Sequence, residues 1–230
     1  MEKALELLKT YTWGDDRNAL KPIDEAITAS HGDKAARQEI EEKLIAVLKS
    51  DASRNGKDYV CRKLKIVGTD ASVPTLASML GDANHSHMAR FALQSIPTQA
   101  ASKALLAALG SVSGKLKAGV IGSLGARGDN SAVGALGRLL GNNDAVVAKS
   151  AAAALGAIRT SDAAKVLGEN ERNPEATVAV IDAKLACAES LLASGDKLGA
   201  LSIYKSLHSG GSAKHIKLAA TRGMLACAGK

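Results

Sequence analysis

Leucine recurs along this chain in two series that share one period and run out of phase with each other. The first series has intervals of 29, 31 and 31 residues and comprises Leu76, Leu105, Leu136 and Leu167. The second has intervals of 29, 31, 31 and 30 residues and comprises Leu64, Leu93, Leu124, Leu155 and Leu185. Periods of roughly 20–50 residues are typical of solenoids. Two interleaved series predict two helices per repeat, so we expect an all-α, right-handed α-solenoid of about seven antiparallel helix pairs.

Large aromatic residues are scarce in a chain that is otherwise rich in hydrophobic residues. Of the 230 residues, 46% are hydrophobic but only 2% are Phe, Trp or Tyr. A compact globule fills its centre with large rings, since each ring buries a large apolar area. The composition therefore predicts a thin core of Ala, Leu, Val and Ile between closely packed helices, as in a solenoid whose repeats touch only their neighbours.

Glycines mark both the ends and the contacts of the predicted helices. The turn at 67–70 combines a helix-ending glycine with Thr and Asp, which cap the next helix. Gly119 and Gly122 instead lie inside a predicted helix, where glycine costs about 0.5–1 kcal/mol relative to alanine. We interpret both as positions where a neighbouring helix lies almost directly on the backbone.

Positive charge is concentrated in the middle of the chain. The formal net charge is +7, and residues 51–158 contain 12 basic and 6 acidic residues. This charge is diffuse, without Lys/Arg clusters, which is typical of solvent-exposed helix faces. It leaves nucleic acid or another polyanion as an alternative partner, whose binding would depend steeply on salt.

No residue pattern predicts a metal site, a cofactor or a catalytic centre. Cys61, Cys187 and Cys227 lack metal-site spacing, and a Cys187–Cys227 disulfide is left open. His85 and His87 form the only close histidine pair, but no third ligand at suitable spacing completes a metal site. No phosphate-binding glycine loop or nucleophile motif is present. We therefore expect no cofactor and no metal, and a protein that is not an enzyme.

The hydropathy pattern gives no sign of a membrane anchor. No apolar run approaches the ~20 residues that span a bilayer. The first residues lack the apolar stretch of a signal peptide. We expect a soluble protein and leave its compartment open.

One segment resembles a known repeat family. The pattern is a helix, then Gly-Thr-x-Asp-x-x-Val-Pro-x-Leu, a turn, and a second helix with Ala-Leu near its end. The residues that carry it are Gly68, Thr69, Asp70, Val73, Pro74, Leu76, Leu80, Ala92 and Leu93. This pattern is similar to the armadillo-like HEAT repeat of the type named after phycobilisome lyases, and the resemblance covers about 57–170. The stretch 86–93 also resembles HEAT segments of bacterial proteins.

The C-terminal quarter departs from this pattern and resembles a tetratricopeptide unit. The residues that carry this resemblance are Ala188, Leu191, Gly195, Asp196, Ala200 and Tyr204. A longer helix pair there would cap the stack, because a solenoid needs an end without an open apolar face. We expect one solenoid domain over 1–230, with N-terminal capping helix pairs at 1–56, HEAT-like repeats at 57–170 and a tetratricopeptide-like cap at 171–230.

The resemblance implies an interaction scaffold. HEAT-like proteins are mostly scaffolds, although a few are lyases, hydroxylases or DNA glycosylases. The hydroxylases carry repeated His-Glu pairs, and this chain has no His-Glu sequence. We expect a non-catalytic surface that binds a protein or peptide. Nucleic-acid binding through the basic middle and a lyase-type activity are the alternatives.

The expected binding surface is the concave face, which the second helix of each pair lines in HEAT-type stacks. The polar residues of these helices that lie off the leucine series are Arg62, Lys65, His87, Arg90, Gln94, Lys117 and Lys149. Arg90 shares a helix face with His87 and Gln94, and such a row is suited to carboxylates or phosphates. In the alternative interpretation, Arg90 pairs with an acidic neighbour such as Asp58 to hold the stack.

Overall fold

The computed structural model of this chain describes residues 1–169, 173–210 and 213–229. All regular secondary structure in this part is helical, which confirms the all-α class. It contains fourteen α-helices, which agrees with seven pairs: α1 Glu2–Leu7, α2 Lys21–Ala29, α3 Lys34–Lys49, α4 Arg54–Val67, α5 Val73–Ser78, α6 Ser86–Ser95, α7 Gln99–Ala108, α8 Gly114–Arg127, α9 Val133–Arg138, α10 Ala145–Ile158, α11 Ser161–Glu169, α12 Thr177–Ala193, α13 Lys197–Ser209 and α14 Lys214–Cys227. Short 3-10 helices precede α2, α9 and α12, at Arg17–Leu20, Asn130–Ala132 and Pro174–Ala176. Within these residues, no helix combines the length and the apolar character needed to cross a lipid bilayer.

These helices form two compact units, Met1–Val112 and Ser113–Lys230. Unit 1 holds α1 to α7, and unit 2 holds α8 to α14. The division falls within the segment that we expected to form the central repeats. The predicted boundary between those repeats and the C-terminal cap, at 170/171, lies outside the described residues. The organisation into two caps and a central segment therefore stays a prediction.

In unit 1, helix pairs stack through buried leucines. α3 packs against α4 and α5 packs against α6, while α4 also contacts α6 and α5 contacts α7. The leucines of the two series in this unit are fully buried, and they are Leu64, Leu76, Leu93 and Leu105. One series supplies α4 and α6 and the other supplies α5 and α7. The two interleaved series therefore mark two rows of helices, as predicted.

Unit 2 repeats this arrangement. α8, α10 and α12 pack against one another in succession, α9 packs against α10, and α11 packs against α12. Leu124, Leu136, Leu155 and Leu167 are fully buried, whereas Leu185 is half-buried. α13 packs against both α12 and α14, so the last two helices form an antiparallel hairpin at the end of this unit.

Glycines let successive helices of unit 2 touch backbone to backbone, but at Gly125 and Gly156 and not at the predicted Gly122. A Cβ on Gly125 would clash with Ala154, and a Cβ on Gly156 would lie 2.8 Å from Cα of Ala183. Gly122 is exposed, and no atom lies within 4 Å of a Cβ placed there. The interpretation of Gly122 as a close-packed position is therefore wrong. The contact lies on the adjoining side of α8, at Gly125, because α10 packs against that side.

A buried carboxylate links one helix pair of unit 1 to the start of the next. Glu41 of α3 is 1% exposed. Its carboxylate accepts hydrogen bonds from the backbone N and Oγ1 of Thr69, at 2.7 and 2.8 Å. It also accepts bonds from N and Oγ of Ser72, at 3.1 and 2.5 Å. Because Thr69 and Ser72 lie in the turn before α5, Glu41 accepts hydrogen bonds from donors at the start of this helix.

Candidate functional site

Five of the seven predicted binding residues lie on two adjacent helices of unit 1. Arg62 and Lys65 belong to α4, and His87, Arg90 and Gln94 belong to α6, which packs against α4. Arg62, Lys65 and His87 are exposed, whereas Arg90 and Gln94 are half-buried. We call the surface formed by these five residues the α4–α6 face.

Two cations of the α4–α6 face lie over aromatic rings. The guanidinium carbon of Arg62 lies 5.3 Å from the ring centroid of Trp13, and Nζ of Lys65 lies 4.4 Å from that of Phe91. Trp13 is 40% exposed, and its ring meets the ring of Tyr11 edge-on, with the centroids 5.6 Å apart. A cation is attracted to the negative face of an aromatic ring. Each ring therefore holds its cation in place without neutralising the charge.

Basic residues outnumber acidic residues on the two helices of the α4–α6 face. α4 and α6 contain six basic residues, at positions 54, 57, 62, 63, 65 and 90, and one acidic residue, Asp58. Asp58 is only 9% exposed. Lys63 forms an ion pair with Asp24 of α2. Among the described residues, neither Arg62 nor Lys65 forms an ion pair with a carboxylate. A surface of this kind attracts negatively charged ligands.

Arg90 differs from the other cations of this face in its burial. Burial lowers the pKa of its guanidinium from the ordinary value of 12.5, yet the group stays protonated at neutral pH. The alternative interpretation pairs Arg90 with an acidic neighbour such as Asp58. Oδ1 of Asp58 is buried and has no hydrogen-bond partner among the described residues. This observation gives the pairing with Asp58 no support.

The two remaining predicted residues lie in unit 2 and have different surroundings. Lys117 is half-buried on α8. Lys149 of α10 is exposed, and its Nζ lies 3.3 Å from Oε2 of Glu175, with which it forms an ion pair. A groove of about 470 Å³ runs past this pair between α10 and α12, and Asp182 also lines it. Because Glu175 neutralises Lys149 and Asp182 adds negative charge, this groove is not a cationic surface.

The histidines and cysteines are not arranged as a metal site. Nδ1 of His85 lies 2.6 Å from Oδ2 of Asp82, and this contact lowers the pKa of Asp82. The three cysteines are free thiols, so the disulfide left open between Cys187 and Cys227 does not form in this structure. Within the described ranges, no group of three or more His, Cys, Asp or Glu side chains could hold a metal ion.

Sequence reasoning missed two aromatic residues next to the α4–α6 face. Trp13 lies between α1 and α2, and no periodicity relates it to Arg62. Phe91 carries a signal that could have been used, because it follows His87 by four residues and therefore shares its side of α6. An aromatic residue among the polar residues of a predicted surface is a reason to include it in that surface.

Comparison with known proteins supports the repeat architecture. Residues 102–186 match the family model of HEAT repeats. This segment is HEAT-like. The match begins within α7, ends within α12 and so extends beyond residue 170, into the part that we expected to resemble a tetratricopeptide unit. None of the curated proteins matches the chain.

A similar solved structure corrects the prediction that this chain is not an enzyme. That structure is human deoxyhypusine hydroxylase in complex with glycerol, with a TM-score of 0.36 and 16% sequence identity, covering 91% of this chain and 97% of that chain. Because the similar protein is an enzyme, we withdraw the expectation that this chain is not one. A likeness of this size assigns no activity, so we carry no hydroxylase chemistry over to this chain.

Proposed function

We propose that this protein binds an acidic, extended protein segment on the α4–α6 face. One observation carries the proposal: Arg62 and Lys65 are exposed, are held over Trp13 and Phe91, and have no carboxylate partner among the described residues. HEAT repeats are commonly protein-interaction modules, which supports a protein as the ligand.

The spacing of the two cations fits an extended acidic segment. Arg62 and Lys65 are three residues apart on α4, so their Cβ atoms lie roughly 5–6 Å apart on one side of the helix. Alternate side chains of an extended peptide are about 6–7 Å apart and point to the same side. Acidic residues at alternate positions therefore reach both cations. Arg62 binds a carboxylate through two N–H groups, and Lys65 binds the second as a point charge.

The arrangement of the rings favours a peptide over single-stranded nucleic acid. Proteins that bind single strands stack the bases on free aromatic faces. Here one face of Trp13 is covered by Arg62, and one face of Phe91 is covered by Lys65. The positive charge, rather than the ring, is what this surface offers to a ligand.

The proposal is tested with a labelled acidic dodecapeptide in which Asp alternates with Gly or Pro, so that it stays extended. Its affinity is measured by fluorescence anisotropy with the wild-type chain and with the R62E/K65E variant. We expect the variant to bind about tenfold more weakly, equivalent to about 1.4 kcal/mol. Trp13 is the only tryptophan of the chain, so a change in its emission on binding of unlabelled peptide places the ligand beside Arg62.

Matched controls separate this proposal from a general effect of charge. K34E/K103E makes the same change in net charge at two exposed positions of unit 1, and it should retain the wild-type affinity within about twofold. If R62E/K65E also retains that affinity, the proposal is wrong. If oligothymidine of the same length binds more tightly than the peptide and R62E/K65E abolishes its binding, the nucleic-acid alternative replaces it.

Several predictions from the sequence remain to be tested alongside this one. They are the binding roles of Lys117 and Lys149, the resemblance to the phycobilisome-lyase type of repeat, the lyase-type activity and the tetratricopeptide-like nature of the C-terminal helix pair. The Lys149–Glu175 ion pair makes Lys149 a weak candidate for binding an acidic ligand.

A further inference from the structure

The last two helices of unit 2 carry charge of one sign. Residues 197–230 contain six Lys or Arg residues and neither Asp nor Glu. The five of these that lie on α13 and α14 are exposed: Lys197, Lys205, Lys214, Lys217 and Arg222. Among the described residues, none of the five forms an ion pair. The α13–α14 hairpin is therefore a cationic surface, separate from the α4–α6 face of unit 1.

Two exposed leucines of α14 lie within this cationic surface, and α13 adds a third, Leu198. Leu218 is 62% exposed and Leu225 is 50% exposed. These two are seven residues apart on α14, so they lie on the same side of the helix, two turns apart. The buried residues of α14 lie on the opposite side, and they are Ile216, Ala220 and Gly223. Leu218 and Leu225 are thus the outer apolar side chains of the final helix.

Cations and leucines alternate along this outer side. Lys214, Leu218, Arg222 and Leu225 follow one another at spacings of four, four and three residues, which places them in one row along α14. We call these four residues the α14 outer row. Leucines that repeat every seven residues, with charged residues beside them, form the seam through which one helix packs against another.

We propose that the α14 outer row binds an acidic amphipathic helix of a partner protein. The partner would present apolar side chains at heptad spacing to Leu218 and Leu225, and Glu or Asp beside them to Lys214 and Arg222. Charge complementarity selects an acidic partner, because the hairpin has no carboxylate of its own with which to attract a basic one. This site goes beyond the proposed function, since it lies in the other unit and uses none of the same residues.

Two other occupants fit the row less well. A helix that lies on an anionic bilayer buries a broad apolar side that usually includes aromatic residues. α14 has no aromatic residue, and the outer row offers only two large apolar side chains. A second copy of this chain, docked through the same surface, would place Lys214 and Arg222 against their own equivalents. Repulsion between these cations opposes such a dimer.

The test uses a labelled synthetic helix of three heptads, with Leu at the first and fourth positions of each heptad and Glu beside them. Its affinity for the full chain is measured by fluorescence anisotropy. We expect L218S/L225S to weaken binding at least about tenfold, and R222E to weaken it by a similar factor. V178S replaces an equally exposed apolar residue of the same unit, on α12, and should keep the wild-type affinity within about twofold. Circular dichroism and the urea midpoint check that each variant is folded.

Two further peptides and one further variant make the result decisive. The same helix with Lys in place of Glu should not bind, and an acidic helix with Ser in place of Leu should bind at least about tenfold more weakly. L218S/L225S should weaken binding of the acidic helix more than R62E/K65E does, because Leu218 and Leu225 belong to the α14 outer row and the α4–α6 face recognises an extended segment. If R62E/K65E abolishes binding while L218S/L225S does not, the helix binds to unit 1 and the inference is wrong, whatever the fate of the proposed function.

Three other outcomes would overturn the inference. The first is that the acidic leucine helix does not bind. The second is that vesicles of phosphatidylcholine with phosphatidylserine bind the wild type but not L218S/L225S, while the peptide fails to bind, which would assign the row to a membrane surface. The third is that sedimentation shows a dimer that L218S/L225S converts to a monomer, which would assign the row to a second copy of the chain.

Discussion

Gly125 of α8 approaches Ala154 of α10 so closely that a Cβ on Gly125 would lie 2.7 Å from Cα of Ala154 and 2.8 Å from its Cβ. Both of these atoms belong to or adjoin the backbone of α10, so neither can rotate away. We expect Gly125→Ala to destabilise the protein by about 1–3 kcal/mol, because the two helices must move apart. Urea unfolding monitored by circular dichroism measures the change.

Gly122 supplies the matched control on the same helix. It is exposed, and a Cβ there would have no atom within 4 Å. Gly122→Ala should therefore raise the free energy of unfolding by about 0.5–1 kcal/mol, since alanine loses less conformational entropy in a helix. Equal changes in the two variants would contradict the close approach of α8 and α10.

Glu41 should be the most sensitive acidic residue of α3. Glu41→Ala leaves the backbone N–H of Thr69 and the hydroxyls of Thr69 and Ser72 without this acceptor, and Ser72 is fully buried. We expect a loss of about 2–4 kcal/mol in the free energy of unfolding. Glu41→Gln keeps the shape but turns an N–H₂ group towards these donors, so its loss should be smaller but clear. Both values follow from urea unfolding.

Glu42 is the neighbour that tests whether burial, and not charge, sets this loss. It is exposed, and its side chain accepts a single hydrogen bond, from Gln38. Glu42→Ala should change the free energy of unfolding by less than about 0.5 kcal/mol. A loss at Glu42 as large as that at Glu41 would show that the contacts of Glu41 with the turn before α5 are not what stabilises this unit.

The sequence predicts the helix rows better than it predicts the contacts between them. The spacing between Leu64 and Leu93 equals the length of one repeat, because each helix of a row buries the same side against its neighbours. The choice of Gly125 over Gly122 as the contact depends on how α10 is rotated about its axis, and a one-dimensional period does not specify that rotation. The family match over 102–186 supports the repeats themselves.

In the candidate site too, the residues on a helix could be predicted from the sequence, whereas the contacts between elements could not. Arg62 and Lys65 could be found because they lie off the leucine series on a helix that the series had already defined. The contact of Arg62 with Trp13 joins a helix to a segment that lies outside the regular repeats and far earlier in the chain. Such a contact depends on the path of that segment, which no repeat pattern encodes. The buried acceptor Glu41 was missed for a related reason, since its partners lie in a turn.

The three thiols should react at very different rates. Burial raises the pKa of Cys61 to about 12, with a smaller contribution from Asp58, and burial raises that of Cys187 to about 11. Both are therefore protonated at pH values of about 8, where only thiolates react quickly. Cys227 is half-buried, so N-ethylmaleimide should label one cysteine per native chain and all three after denaturation. Mass spectrometry of the labelled peptides identifies each site.

The same two thiols predict a loss of stability in alkaline solution. Their pKa values in the folded chain are raised above the ordinary value of 9.0, so the unfolded chain releases these protons first as the pH rises. The stability that they contribute is complete below about pH 9 and is lost progressively above it. Cys61→Ala should reduce the slope of this loss between about pH 9 and 11 in urea unfolding. An unchanged slope, or rapid labelling of Cys61 in the native chain, would contradict its burial.

Lys65 and Lys149 should differ in their effect on ligand binding, although the sequence suggested the same role for both. Lys65 lies over Phe91 and has no carboxylate partner among the described residues, so it retains its charge for a ligand. Lys149 already pairs with Glu175. We expect Lys65→Ala to weaken binding of the acidic dodecapeptide about fivefold, and Lys149→Ala to leave it within about twofold of wild type.

Anisotropy titrations at low and physiological ionic strength measure the affinities of both variants, and the effect of Lys65→Ala should shrink as salt screens the interaction. Equal losses in the two variants would show that the peptide recognises the net charge of the chain and not the α4–α6 face.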